Sequence, residues 1–391
     1  MAHWARVRRG ANFPRPLKTL MGNDRKVIAG FDGIRGIAAS TVALAHVGLY
    51  AIVGAPYWLY DHFGPRLAIN AFFILSGYLI TYLLLSERRT NGAISLRNFW
   101  ARRFLRILPL YVLVVAIITA LATAGLTQAD SRALTFAWLY IYNFLTVPHE
   151  SPVLAHTWSL AVEEHFYLIW PLLLVALSGV PLRKVVVGVA IFAAICPVMY
   201  FFVDLAHRGF VIHRLTIPAA GAIAMGAVFG MLRFLRSTGQ IDSTESAMRR
   251  SVLLGMACMM LLAPVWVPLV TSSWKLAQLA TYAQLFGVAL LIDDVARHQK
   301  SLALRFLELA PLRYLGTVSY GIYMWQGLFL GHGWLREDGY IWPPHPLIGL
   351  AALVVVVPVS YHFFEKPLLA LKEKFREAPK ATALVEPSRL H

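Results

Sequence analysis

Residues 31–46 read FDGIRGIAASTVALAH, and the reading of this stretch decides the fold. Asp32, Gly33, Arg35 and Gly36 come first, followed by an apolar run that holds one histidine, His46. Eleven residues separate Arg35 from His46. At 100° per residue, eleven steps return to nearly the same helical face and climb about 16 Å. On a helix that crosses a bilayer, the arginine marks one end and the histidine falls near the middle. An ionisable group at that depth is a functional candidate by default.

The rest of the chain supports the membrane reading. Of its 391 residues 58% are hydrophobic and 14% charged, against about 25% charged in soluble domains. Apolar runs recur at about 34–54, 66–85, 104–125, 158–178, 184–203, 214–235, 251–270, 274–293, 314–333 and 346–364. Each is close to the ~20 residues a transmembrane helix needs. We therefore expect an all-α, polytopic membrane protein of about ten transmembrane helices with both termini cytosolic. A β-barrel would need short alternating segments around a polar interior.

The net charge of +16 raises nucleic acid as a partner, and its distribution argues against that. The basic residues cluster just outside the apolar runs, the pattern that sets topology. With ten spans, the loops holding Arg88/Arg89/Arg97, Arg183/Lys184, Arg233/Arg236/Arg249/Arg250 and Arg297/Lys300/Arg305 all fall in the cytosol. Counting 133–147 as an eleventh span would invert every later loop, so this stretch reads as a re-entrant or interfacial segment. Residues 1–30 form a basic cytosolic arm lying on anionic lipid, with no secretory signal pattern. The membrane domain covers 31–368, and 369–391 is a cytosolic tail. Cys196 and Cys258 give neither a disulfide framework nor metal spacing.

Several residues do not belong in lipid. Phe72 and Phe73 precede Ser76–Gly77, a pair that is either a small-residue packing contact or a place where a thin ligand meets backbone and a hydroxyl. Arg102, Arg103 and Arg106 lie within one helical turn. They are topology charges, or a clamp whose guanidiniums bind phosphate bidentately. HTWSLAVEEHFYLIWP, residues 156–171, brings Glu163 and Glu164 inside a span, pointing about 100° apart. LGTVSYGIYMWQG, residues 315–327, carries Ser319, Tyr320 and Tyr323, and SYHFFEKPL closes the last span.

Together these motifs resemble the acyltransferase 3 family of integral-membrane O-acyltransferases, in its stand-alone type without an appended esterase domain. Arg35 and His46 match its arginine-ten-residues-histidine signature. FFILSG, Arg103 with Arg106, HTWSLAVEEHFYLIWP, GTVSYGIYMW and HFFEKP match its later blocks, in order. Two positions depart: the family often has aspartate where Asn70 stands and histidine where Gln326 stands. The resemblance implies a multi-pass protein of the bacterial cytoplasmic (inner) membrane. It moves an acyl group, commonly acetyl from acetyl-CoA, to a hydroxyl of an envelope polysaccharide, lipid-linked sugar or macrolide.

The chemistry expected from these residues is specific. Arg35, Arg102, Arg103 and Arg106 hold the CoA phosphates, with Phe73 beside the donor path. His46 acts as general base, or attacks first to form an acyl-imidazole. Glu163 holds the histidine ring in the right tautomer, and Ser76 or Tyr320 donates to the developing oxyanion. No metal is expected. The rival readings are a proton-coupled transporter or flippase, to which intramembrane His and Glu would also be suited, and a non-catalytic scaffold.

Overall fold

The computed structural model describes residues 28–196, 214–242, 244, 246–270, 274–331, 342 and 345–375. The basic arm up to residue 27, the second half of the expected span 184–203, and residues 376–391 lie outside the described residues. Every regular element among the described residues is helical. The longer ones are α1 (Phe31–His46), α2 (Pro65–Asn91), α3 (Leu96–Thr123), α4 (Ser131–Trp138), α5 (Thr157–Ala176), α6 (Leu182–Ile195) and α7 (Thr216–Ser237). They continue with α8 (Ala247–Leu261), α9 (Ala263–Val270), α10 (Trp274–Arg297), α11 (Ala310–Thr317), α12 (Ser319–Leu330) and α13 (Pro346–Ser360).

Six of these helical runs are long and apolar enough to cross a membrane: those built on α2, α3, α5, α7, α10 and α13. The count becomes seven if α8 and α9, which meet at a 64° bend, form one span. Besides 251–270, which α8 and α9 share, two of the ten sequence windows are divided between shorter helices. The window 34–54 runs past the end of α1 through a four-residue helix, Leu49–Ile52, and 314–333 is broken at Val318 between α11 and α12. The segment 133–147 forms α4, capped by Asp130, and a single turn at Tyr142–Phe144. Eight helical residues reach about 12 Å, well short of the ~30 Å hydrocarbon layer.

Small residues fix how the helices meet. At Gly30, φ is +91°, a left-handed conformation that glycine adopts without a Cβ penalty; its N–H donates to Glu308 Oε1 at 2.7 Å. A Cβ on Gly33 would overlap the Leu307 carbonyl, and one on Gly36 would overlap Leu312 O and Gly316 N. Helix α1 therefore lies backbone to backbone along Leu302–Leu307 and α11. Gly77 of α2 meets Ile223 of α7, while Gly226 and Gly230 of α7 meet Ile74 and Tyr78. Such contacts are how membrane helices pack closely without a hydrophobic drive between them.

The loops that the charge pattern puts together do meet at one end of the bundle. Arg88 donates to Ser178 O and Arg183 to Gln240 O, Arg250 pairs with Asp294, and Arg102 donates to Phe375 O. At the opposite end Asn143 donates to Thr216 Oγ1 and Arg214 pairs with Glu150.

Candidate functional site

Five helices close around one cavity. α2 contributes Ile69, Phe72, Phe73 and Ser76; α5 contributes Ser159, Glu163 and Tyr167; and α12 contributes Ser319, Tyr320 and Tyr323. α1 adds Arg35, and α3 adds Arg103 and Arg106. Helical spacing explains the selection. Ser159, Glu163 and Tyr167 stand four residues apart, so they share one face of α5. Ser76 and Gly77 point about 100° apart, so Gly77 seats α2 on α7 while Ser76 faces the cavity. The packing reading holds for Gly77, and Ser76 is the member of the pair that lines the cavity.

A short hydrogen-bonded chain crosses the wall. The Tyr167 hydroxyl donates to Ser76 Oγ at 3.1 Å, and Ser76 Oγ donates to Glu163 Oε1 at 2.7 Å. A carboxylate held this way is compensated, and its partner is Ser76 on α2. Glu164, its neighbour in sequence, points elsewhere and leaves Oε1 without a partner. Tyr320 donates to Ile107 O at 2.6 Å. The protons of Ser76 and Tyr320, both expected at an oxyanion, are thus already given to other acceptors.

Three guanidiniums face that single carboxylate. Arg35 lies 3.5 Å from Asp32 Oδ1. Arg103 sits 5.3 Å from the Tyr167 ring centroid and 5.7 Å from that of Phe99, in cation–π range. Among the described residues, neither Arg103 nor Arg106 has an ion-pair partner. The cavity end they form carries net positive charge and donors without acceptors, which suits an anion with several oxygens. Arg102 is not brought there. Adjacent to Arg103 and turned about 100° away, it pairs with Glu87 at 3.0 Å and donates to Phe375 O at 2.9 Å.

His46 does not line this cavity. It stands about 16 Å along α1 from Arg35. Its Nδ1 lies 2.8 Å from Val42 O, and because a carbonyl can only accept, Nδ1 carries the proton. That leaves the Nε2 lone pair available as a base. The expected Glu163–His46 contact is therefore replaced: a carbonyl of the helix itself sets the tautomer, and Glu163 serves Ser76.

Tyr323 lines the cavity and also touches His156. Its hydroxyl lies 2.6 Å from Ser159 Oγ and donates to His156 O at 2.9 Å. Its ring meets the His156 ring edge-on, with centroids 5.7 Å apart. Sequence reading did not place Ser159, Tyr167 or Tyr323 in a site. The signal for the first two was present, because they stand one turn either side of Glu163.

A family model described as an acyltransferase domain matches residues 28–365. The chain is 27% identical over 370 residues to the peptidoglycan O-acetyltransferase OatA of Listeria monocytogenes serovar 1/2a, covering 88% of this chain and 56% of that protein. Against the putative peptidoglycan O-acetyltransferase YrhL of Bacillus subtilis the identity is 26%, covering 88% and 55%. Against the O-acetyltransferase OatA of Staphylococcus aureus it is 24%, covering 88% and 57%. The chain spans about half the length of these curated relatives. No solved structure matches the chain.

Proposed function

The chain belongs to this acyltransferase domain family, and from that premise we propose that it is a bacterial membrane O-acyltransferase. It takes an acyl group, acetyl in the first instance, from acyl-CoA and gives it to a hydroxyl of a glycan. The relatives' names make peptidoglycan the first acceptor to test. Lipid-linked sugars and macrolides present the same hydroxyl chemistry. Nothing in the family match favours a transporter.

One observation carries the donor half. Arg35, Arg103 and Arg106 converge on one end of a cavity whose one carboxylate is already engaged by Ser76. The phosphates of CoA supply the missing acceptors there. Beyond the arginines, Phe72, Phe73 and Ile80 give the apolar lining that a thin pantetheine arm needs. That arm points the thioester towards Tyr323 and, past it, His46.

His46 Nε2 then removes the acceptor hydroxyl's proton as its oxygen attacks the thioester carbonyl. The new C–O bond forms, the C–S bond breaks, and the imidazolium returns its proton to the departing CoA sulfur. Because Ser76 and Tyr320 donate elsewhere, the guanidinium N–H groups are the donors that remain free in the cavity.

The test is thermal stabilisation of the purified protein by acetyl-CoA, propionyl-CoA and free CoA. A ligand at a hundred times its Kd adds about 2.7 kcal/mol. We expect stabilisation of the wild type and its loss in Arg103→Ala/Arg106→Ala. A folded wild type that no CoA species stabilises ends the acyl-CoA reading.

A further inference from the structure

Behind Tyr323 the structure leaves a group of buried polar atoms with nothing to bond. His156 is 6% exposed and Gln326 1%. Both ring nitrogens of His156, and both Nε2 and Oε1 of Gln326, lack a hydrogen-bond partner among the described residues. An orphaned buried polar group is costly, and native proteins keep few of them without a reason. Two such side chains beside Tyr323 make a cluster of unmet donors and acceptors.

Two observations bring His46 to this cluster. Helix α1, which ends at His46, packs along α12. The site on α12 is its Tyr323–Gly327 turn. On that turn Tyr323 and Gly327 abut His156, and Gln326 lies only about 60° round the helix from Tyr323. The His46 and His156 rings also lie within electrostatic reach of one another.

We propose that His156 and Gln326 form the subsite for the acceptor's sugar hydroxyl, held opposite His46 on the far side of Tyr323 from the arginine cavity. The assignment rests on the acyltransferase reading above. The chemistry selects the ligand class. A hydroxyl has one donor and two acceptor positions, and an amide offers one of each kind back. The Tyr323 ring and the neighbouring Trp325, whose Nε1 is also unpartnered, give a sugar ring apolar faces and a further donor. With the acceptor seated there and the thioester reaching Tyr323 from the other side, the two substrates meet at His46.

The experiment measures acetyl transfer from acetyl-CoA to tetra-N-acetylchitotetraose, a soluble N-acetylglucosamine tetramer, in detergent. It compares the wild type with Gln326→Met, which keeps length and removes the amide, and with His156→Leu. Ligand-free Tm and stabilisation by acetyl-CoA are read in parallel. We expect KM for the sugar to rise about tenfold or more in both variants, as loss of one or two hydrogen bonds gives. Stabilisation by acetyl-CoA should stay at the wild-type level. Ligand-free Tm of Gln326→Met should hold or rise, since the variant removes an unmet amide. Gln326→His, which keeps a donor and an acceptor nitrogen, should recover part of the KM.

An unchanged KM, or a lower Tm with unchanged KM, overturns the subsite, and so does unfolding of both variants, which marks a structural role. A wild type that hydrolyses acetyl-CoA without acetylating the sugar overturns it too, while the donor site stands. Failure of the acyltransferase reading itself looks different: the wild type is then not stabilised by CoA and neither transfers nor hydrolyses its acyl group.

Discussion

On one side of Tyr323 the buried hydroxyls and the carboxylate answer one another and only guanidiniums are left over; on the other the buried side chains of His156 and Gln326 have no partner among the described residues. In the arginine cavity Tyr167, Ser76 and Glu163 form a chain, Tyr320 is bound to Ile107 O, and Arg103 rests over an aromatic ring. On the other side the side chains of His156 and Gln326 have no partner, and the one bond of His46 goes to its own helix. A satisfied network holds its shape before a ligand arrives, so it positions. An unsatisfied one stays costly until a ligand completes it, so it selects. On the proposed reading, the first region positions the donor, and the second removes the proton and chooses the acceptor.

The harshest test removes the base. His46→Ala should lower turnover by about 10²–10⁴-fold, the usual contribution of a general base, with stabilisation by acetyl-CoA unchanged because the arginine cavity is intact. Near-wild-type turnover in the folded variant would break the division. So would loss of CoA binding, which would make one region of the two.

Glu163→Gln comes next. Ser76 can still donate to the amide oxygen, but the bond loses its charge assistance, worth roughly a twofold difference in strength. We expect kcat to fall by about tenfold, on the ~1–2 kcal/mol scale of such a change, and KM for acetyl-CoA to hold or drop. The sign of the KM effect is the sharper part. Removing the cavity's one carboxylate leaves its three arginines unopposed, so weaker CoA binding would contradict the electrostatic account.

How much of this could be read in the sequence follows from what a sequence encodes. Apolar period and motif order gave the helical membrane class, and singled out Arg35, Phe73, Ser76, Arg103, Arg106, Glu163 and Tyr320 of the arginine cavity but not Ser159, Tyr167 or Tyr323. The span windows were less legible, because a hydropathy average passes straight through Val318 and through Gly48, where helices end. Adjacent positions were ambiguous for the same reason in each case. Ser76 and Gly77, Arg102 and Arg103, and Glu163 and Glu164 each point about 100° apart, and the sequence does not say how a helix is turned. The shared face of Arg35 and His46 was readable, but with about 16 Å between them only Arg35 lines the cavity. The unmet groups of His156 and Gln326 exist only in three dimensions.

Packing gives a control that should leave chemistry alone. A Cβ at Gly77 would overlap Ile223 O, so Gly77→Ala forces α2 off α7. Overpacking of this kind costs about 1–3 kcal/mol, read as a lower Tm. KM for acetyl-CoA in the surviving protein should move little, because Ser76, on the neighbouring face, keeps its bond to Glu163. A change confined to KM would mean that the face of α2 toward the cavity is not independent of the face toward α7.

The smallest effect is the most discriminating between neighbours. Arg102 and Arg103 are alike in charge and adjacent in sequence, so any account based on charge density alone makes them equivalent. The structure separates them: Arg103 faces the cavity, while Arg102 pairs with Glu87, with side chains 29% and 15% exposed. A partly exposed pair is worth about 0–1 kcal/mol. Arg102→Ala should therefore cost at most that in stability and leave stabilisation by acetyl-CoA at the wild-type level. Arg103→Ala, changing one residue further on, should weaken it by tenfold or more in affinity, the scale of a charge-assisted hydrogen bond to phosphate. Equal losses in the two variants would mean that CoA reads the general positive field of this end of the bundle. Unequal losses would mean that it reads the rotation of α3.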